Sequence, residues 1–372
     1  MKVYLIDIIK LFGWLLKHKR VAENRLTRDV IVIYIGSIFF LTTIALERTY
    51  AQDPQFSQFF AAPLYLNPAF TGTTKEHRFV ANYRNQWRNI ANGYVTYAFS
   101  YDYNMRDAKS GFGLMAMADR AGSVGMGTTT VGLTYSYKIK LSNDWILTPG
   151  LHFAYGSRGI DKNKVVLLDQ LSFGDASIDS NDPLLFSVRD ANYFDFGSGL
   201  LMYNRNLWFG VSAYHMNEPN LSMIGDDSRL PMKASVHGGA KIRLYNGPFS
   251  KRIIPSIAPA FILKQQGEFT QLDVGTNFNY NPVTFGFWYR GMPTRNNPEQ
   301  NPIAQEALIF LLGMKYQQFD IGYSYDINIS SIGPAAGGSH EVSLTYRFQN
   351  PNRRKPKVNK KLIPCPAFLI NE

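Results

Sequence analysis

The sequence predicts an all-β protein: a transmembrane outer-membrane β-barrel of about 14 antiparallel strands. Three observations predict it. Segments between Phe79 and Phe348 alternate apolar and polar residues with period two, the pattern of strands with one apolar face. Many of these segments are long enough for a tilted strand to cross a bilayer, which takes about nine to eleven residues. Their apolar faces begin and end in Tyr, Phe or Trp, as interfacial girdles do. Composition agrees: aromatics reach 14%, and charged residues are only 18%, against about 25% in soluble domains. A strand content this high suits a chain whose backbone groups must all be paired inside lipid.

The elements follow in order. Val30–Leu46 is an uncharged run of 17 residues preceded by Lys17, Lys19, Arg20, Arg25 and Arg28, and Thr49 and Ala51 are small enough for a signal-peptidase site. Residues 1–51 read as a secretory signal peptide with an extended basic leader, the other reading being a retained anchor. Residues 52–78 form a periplasmic lead-in. Phe56, Phe59 and Phe60 fall at helical spacing, Pro63 ends that helix, and Asn67-Pro68 makes a turn that opens another. This segment either packs on the first strand or acts as a plug or docking peptide.

Residues 79–348 form the barrel. Phe79, Ala81 and Tyr83 oppose Asn82, Arg84 and Gln86; Tyr97, Phe99 and Tyr101 oppose Thr96, Ala98 and Ser100. The clearest strand is Thr128–Leu141, where Val131, Leu133 and Tyr135 oppose Gly132, Thr134 and Ser136. Leu133 is expected at the lipid midplane, and Thr134, facing the lumen, is expected to tolerate an arginine. The connections alternate between tight turns, such as Asn204-Arg205-Asn206, and long loops at Ser157–Asn192, Met216–Pro231 and Gly291–Glu306. That asymmetry puts the long loops outside the cell and both termini in the periplasm. Residues 349–372 are a basic tail carrying Arg353 and Arg354, read either as a solvated run or as a docking peptide.

The net charge of +11 belongs mostly to the ends. Residues 1–51 carry eight Lys and Arg against four Asp and Glu, and residues 349–372 six against one, which leaves +2 for the rest. A nearly neutral body argues against nucleic acid as a partner.

Specific boxes carry a family resemblance. Asp53-Pro54-Gln55-Phe56-Ser57-Gln58-Phe59, Pro63–Gly72 (PLYLNPAFTG) and Tyr83-Arg84-Asn85-Gln86-Trp87 resemble the PorP/SprF family of outer-membrane proteins of the type IX secretion system. His215-Met216-Asn217-Glu218-Pro219, Ser339–Leu344 and Cys365-Pro366 fit it as well. The resemblance implies a non-enzymatic component of protein secretion, in some cases linked to gliding motility. It also implies association with periplasmic ring or lipoprotein components and with secreted adhesin-like cargo. For docking, the lead-in and tail offer Phe56, Phe59, Tyr65, Asn67, Pro68, Arg353 and Arg354. The Asn67-Pro68-Ala69 box is shared with FadL-like transporters, so a diffusion channel or a transporter of hydrophobic ligands is the alternative.

Catalytic chemistry has little support. The six His residues show no paired metal spacing. Ser198 between Gly197 and Gly199 lacks the full nucleophile-elbow pattern and sits in a strand. Asp175, Asp179 and Asp182 match no complete calcium loop. No cofactor or metal is expected.

Overall fold

The computed structural model describes residues 53–348 apart from 75, 91–92, 106, 123–124, 166–186, 245–254, 292–306 and 330–333. The signal peptide, the calcium reading at Asp175–Asp182 and the tail with Arg353, Arg354 and Cys365 lie outside the described residues.

The alternating segments form fourteen antiparallel strands. They are β1 His77–Gln86, β2 Tyr94–Met105, β3 Ser110–Ala121, β4 Met126–Tyr137, β5 Ile146–Gly159, β6 Ala191–Tyr203 and β7 Leu207–Tyr214. The second half holds β8 Lys233–Ala240, β9 Ser256–Gln266, β10 Phe269–Tyr280, β11 Val283–Gly291, β12 Ala307–Tyr316, β13 Phe319–Asn328 and β14 Ser339–Phe348. Two-residue pieces, Ile139–Lys140 and Ile242–Arg243, prolong β4 and β8. Each strand pairs with its neighbours in sequence, and β1 pairs with β14 from His77↔Phe348 to Gln86↔Ser339, closing the barrel. Closure leaves no unpaired edge, as a bilayer requires.

The faces separate as the alternation requires. Tyr97, Phe99, Val131, Leu133, Phe153, Phe287 and Phe310 are exposed on the outside. Inward positions are buried and mostly polar, including Asn82, Ser100, Thr134, Ser235, Asn277 and Ser324. The barrel therefore has its apolar surface outward and its polar surface inward, the arrangement for lipid outside and a hydrophilic interior.

The strand directions define two mouths. β1 begins and β14 ends at one, together with the turns at 204–206, 281–282 and 317–318. We refer to it as the terminal mouth. The other, the loop mouth, carries the connections 160–190, 215–232 and 292–306.

Candidate functional site

The interior is not a water-filled pore. The lead-in runs through it as a short 3₁₀ turn Phe59–Ala61, one helical turn Pro63–Leu66 and a second 3₁₀ turn Pro68–Phe70. Both Pro63 and Pro68 occupy starting positions, where a missing N–H costs nothing. Asn67 explains why the box is built as it is. Its Oδ1 accepts from Ala69 N at 2.8 Å, capping the second 3₁₀ turn. Its Nδ2 donates to Val211 O at 3.0 Å and lies 3.0 Å from His237 Nε2 on the barrel wall. One side chain thus shapes the lead-in and ties it to β7 and β8.

Apolar packing fills the middle. Phe59, Leu64, Leu66, Ala69 and Phe70 meet wall residues that include Ile146, Leu201, Trp208, Ile262 and Trp288. The Phe59 ring lies 5.0 Å from Trp288, edge to face, and Phe70 lies 5.9 Å from Trp208. Gly150 of β5 permits the approach: a Cβ there would come within 2.6 Å of Ala69 Cα and of the Pro68 carbonyl carbon, both backbone atoms.

Toward the loop mouth two buried arginines and the half-buried Lys264 meet three buried anions. Arg84 donates to Asp326 Oδ2 at 2.7 Å and to Glu341 Oε2 at 3.1 Å. Arg290 donates to Asp326 Oδ2 at 3.2 Å and Asp273 Oδ1 at 3.0 Å, and Lys264 stands 3.3 Å from Asp273 Oδ2. The lead-in completes this network. Ser57 N and Gln58 N donate to the two Glu341 oxygens at 2.7 and 3.1 Å, and Ser57 Oγ donates to Asp326 at 2.6 Å. Such a network is weak evidence for net stability, but removing one member strands a buried charge.

At the loop mouth itself, Asp53 is held by Lys233 Nζ at 2.5 Å and His215 Nε2 at 2.7 Å. His215 follows β7 with a φ of 56°, and its Nδ1 lies 3.0 Å from Asp195 Oδ1, close enough for attraction but off line for a hydrogen bond. Burial alone would lower the His215 pKa, but the Asp53 charge and hydrogen bond, with the adjacent Asp195 carboxylate, outweigh it and lift it to about 9. Burial likewise opposes the ionised Asp53, and the His215 and Lys233 charges outweigh it, holding the carboxyl well below the usual range. Beside His215, Asn217 substitutes for a strand partner of β6: Nδ2 donates to Phe194 O at 2.7 Å and Oδ1 accepts from Phe196 N at 3.2 Å.

The lead-in leaves at the terminal mouth through a third set of bonds. Gly72 N donates to Asp102 Oδ2 at 2.8 Å, and Asp102 Oδ1 accepts from Arg78 Nε at 2.6 Å. Lys138 Nζ donates to Gly72 O at 2.5 Å and to Asn104 Oδ1 at 2.6 Å. One cavity of about 70 Å³ lies near the loop mouth, lined by Asp53, Phe56, Tyr65, Lys233, Lys264 and Gln266. One of about 40 Å³ lies near the terminal mouth, beside Phe60, Arg78 and Arg347. Among the described residues, no group of three or more His, Cys, Asp or Glu is placed to hold a metal ion.

The structure gathers Phe56, Phe59, Asn67 and Pro68 in the lumen, all buried, with Tyr65 half-buried and donating to Ala116 O at 2.6 Å. Asp53 sits at the loop mouth and Phe348 at the terminal mouth, the two ends of the described stretch. One expectation needs correction. Thr134 does not face open water: it is buried against the lead-in, 2.8 Å from the Thr71 hydroxyl, so an arginine there has no room. The inward charges Arg84, Arg290, Asp273, Asp326 and Glu341 stand up to 257 positions apart in the sequence and meet only in the folded barrel. Their signal was a charge on the polar face of a strand within a body of nearly zero net charge.

Comparison with known proteins adds the following. The family model described as type IX secretion system membrane protein PorP/SprF matches residues 48–346. No curated protein matches the sequence. Among solved structures, the Acinetobacter baumannii outer membrane protein Omp33 is 7% identical, over 75% of this chain and 100% of that one, with a TM-score of 0.40. The P. putida toluene transporter TodX is 10% identical, over 76% and 93% of the two chains, with a TM-score of 0.44. The KdgM porin is 10% identical, over 73% and 99%, with a TM-score of 0.32.

Proposed function

The chain belongs to the PorP/SprF family of type IX secretion system membrane proteins, and we propose that it serves that apparatus as a plugged, non-enzymatic anchor in the outer membrane. The observation that carries this reading is the lumen filled from mouth to mouth by the chain's own lead-in. A barrel so filled offers its mouths to other proteins and offers no conduit for a polypeptide. In this reading the terminal mouth and the tail with Arg353 and Arg354 face the periplasm and meet ring or lipoprotein components. The long loops face outward and meet adhesin-like cargo, with gliding motility as one output. Phe56, Phe59, Tyr65, Asn67 and Pro68 act on docking through the lead-in, by fixing the wall that presents both mouths.

The test is in-cell photo-crosslinking from Arg205 and Lys109, both exposed at the terminal mouth, and from Ile224 in a long loop. Secretion components of the periplasm should be captured from the first two, and secreted cargo from the third. Normal cargo export in a strain lacking the protein would overturn the reading. In planar bilayers the purified protein should stay closed, and a steady pore conductance would favour a channel.

A further inference from the structure

The cavity of about 70 Å³ near the loop mouth has a lining of two kinds. The lead-in supplies an apolar part, with Phe56, Phe59, Ala62 and Leu66. The wall supplies a polar part, with Lys233 and Ser235 of β8 and Lys264 and Gln266 of β9. In the β8–β9 register Lys233 stands opposite Gln266, and Lys264 opposite Ser235. The two lysines are therefore diagonal neighbours on one face, roughly 7–8 Å apart, within reach of side chains this long. Their charges repel, and each has one carboxylate against it. Asp53 accepts from Lys233 at 2.5 Å, and Asp273 accepts from Lys264 at a longer 3.3 Å.

An ammonium carries three donors. Among the described residues, each of these two uses one of them in a hydrogen bond. Lys233 Nζ also lies 5.2 Å from the centre of the Tyr214 ring. Both side chains keep contact with open space: they are 22% and 17% exposed, against 4% and 5% for the neighbouring Arg290 and Asp273. Of the charged residues lining the cavity, two are cations and one, Asp53, is an anion.

We propose that this cavity binds a small carboxylic acid in its ionised form, with the carboxylate between Lys233 and Lys264 and a short apolar chain against Phe56, Phe59 and Leu66. A carboxylate only accepts, and it takes several charge-assisted N–H donors at once, which answers the unused donors of the two ammoniums. The apolar part of the lining leaves the outer oxygens of a fully polar anion such as phosphate without partners. Volume sets the size. A cavity of ~150 Å³ holds benzene, so this one takes a chain of about two to four carbons. A ligand seated there touches the lead-in and the wall together, and fastens one to the other.

The test titrates isotope-labelled propanoate into the purified full chain in detergent micelles at neutral pH, read by ligand-observed NMR. Propanamide, hexanoate and inorganic phosphate compete against it. Propanoate should saturate one site. Propanamide and phosphate should bind about tenfold more weakly or worse, the loss expected with a charge-assisted hydrogen bond. Lys264→Gln, checked for the folded, fast-migrating band of the parent, should weaken propanoate by a similar factor and leave propanamide unchanged. Phe269→Ala removes a lining ring beside Gln266, its partner in register. It should raise the affinity of hexanoate relative to propanoate, a gain that misfolding does not produce. A parent without a saturable propanoate site would overturn the proposal. So would equal affinities for propanoate and propanamide, or a folded Lys264→Gln that binds propanoate as the parent does. Should Lys264→Gln not fold, Phe269→Ala decides, and an unchanged ratio of hexanoate to propanoate affinity overturns the proposal.

Discussion

Gly150→Ala tests the filled lumen with the smallest possible perturbation. The added methyl would lie within 2.6 Å of Ala69 Cα and the Pro68 carbonyl carbon, whereas carbon atoms normally meet at about 3.5–4.0 Å. Relief needs a shift of roughly 1 Å, and the atoms in the way are backbone atoms held by the Asn67 cap and its bonds to the wall. Overpacking of this kind costs about 1–3 kcal/mol. Gly127→Ala in β4 is the control, because there the nearest atom stands 3.7 Å from the new Cβ. The assay is the temperature at which the folded, fast-migrating band is lost on gels, read for both variants beside the parent. Gly150→Ala should fall by several degrees and Gly127→Ala should match the parent. Equal midpoints for Gly150→Ala and the parent would refute the claim that the lead-in is packed against β5.

Leu133→Arg on the lipid face should cost about 2–4 kcal/mol, and Thr134→Arg, which displaces Thr71, should cost at least as much; guanidinium titrations of the barrel in vesicles would compare them. Phe59→Ala, which vacates the space against Trp208 and Trp288, should lose about 3–5 kcal/mol in the same titration. Changing Phe56, Phe59 and Tyr65 together to Ala should lower surface cargo beyond any loss of barrel abundance, measured side by side on cells. His215 gives a pH dependence: its folded pKa of about 9 exceeds the ordinary histidine value of 6.5, so its contribution is full below 6.5 and lost as pH rises through 9. That difference corresponds to roughly 3 kcal/mol, and thermal midpoints should fall between pH 7 and pH 10 in the parent but much less in His215→Asn.

The wall was legible in the sequence because its physics is local. A strand half in lipid needs an apolar residue at every second position, and Thr128–Leu141 or Phe269–Tyr280 state that need without reference to any other segment. The lumen was less legible because its contacts are remote. Arg84 finds Glu341 only once β1 closes on β14, 257 residues later in the chain. Before closure both are charges on a polar face, indistinguishable from residues that meet water. The lead-in suffers likewise: its turns are too short for periodicity to mark which face is buried, and its direction through the barrel depends on Asp53 meeting His215 and Lys233.

The closing pair of strands carries its own consequence. Gln58 and Ser57 bond Glu341 of β14, and Ser57 accepts from Arg84 of β1 at 2.7 Å. The lead-in is therefore a splint laid across the seam from within. The first and last strands of a barrel make its closing pairing, and a splint on the inner side bridges the two strands that make it. The final contacts fit an assembly in which the lead-in lies against the open sheet, bridges the two flanking strands, and is enclosed by the step that completes the hydrogen bonds between them. A chain whose lead-in is late would present β1 and β14 as unpaired edges, so proteolytic cleavage within either strand during biogenesis reports on the timing of that insertion.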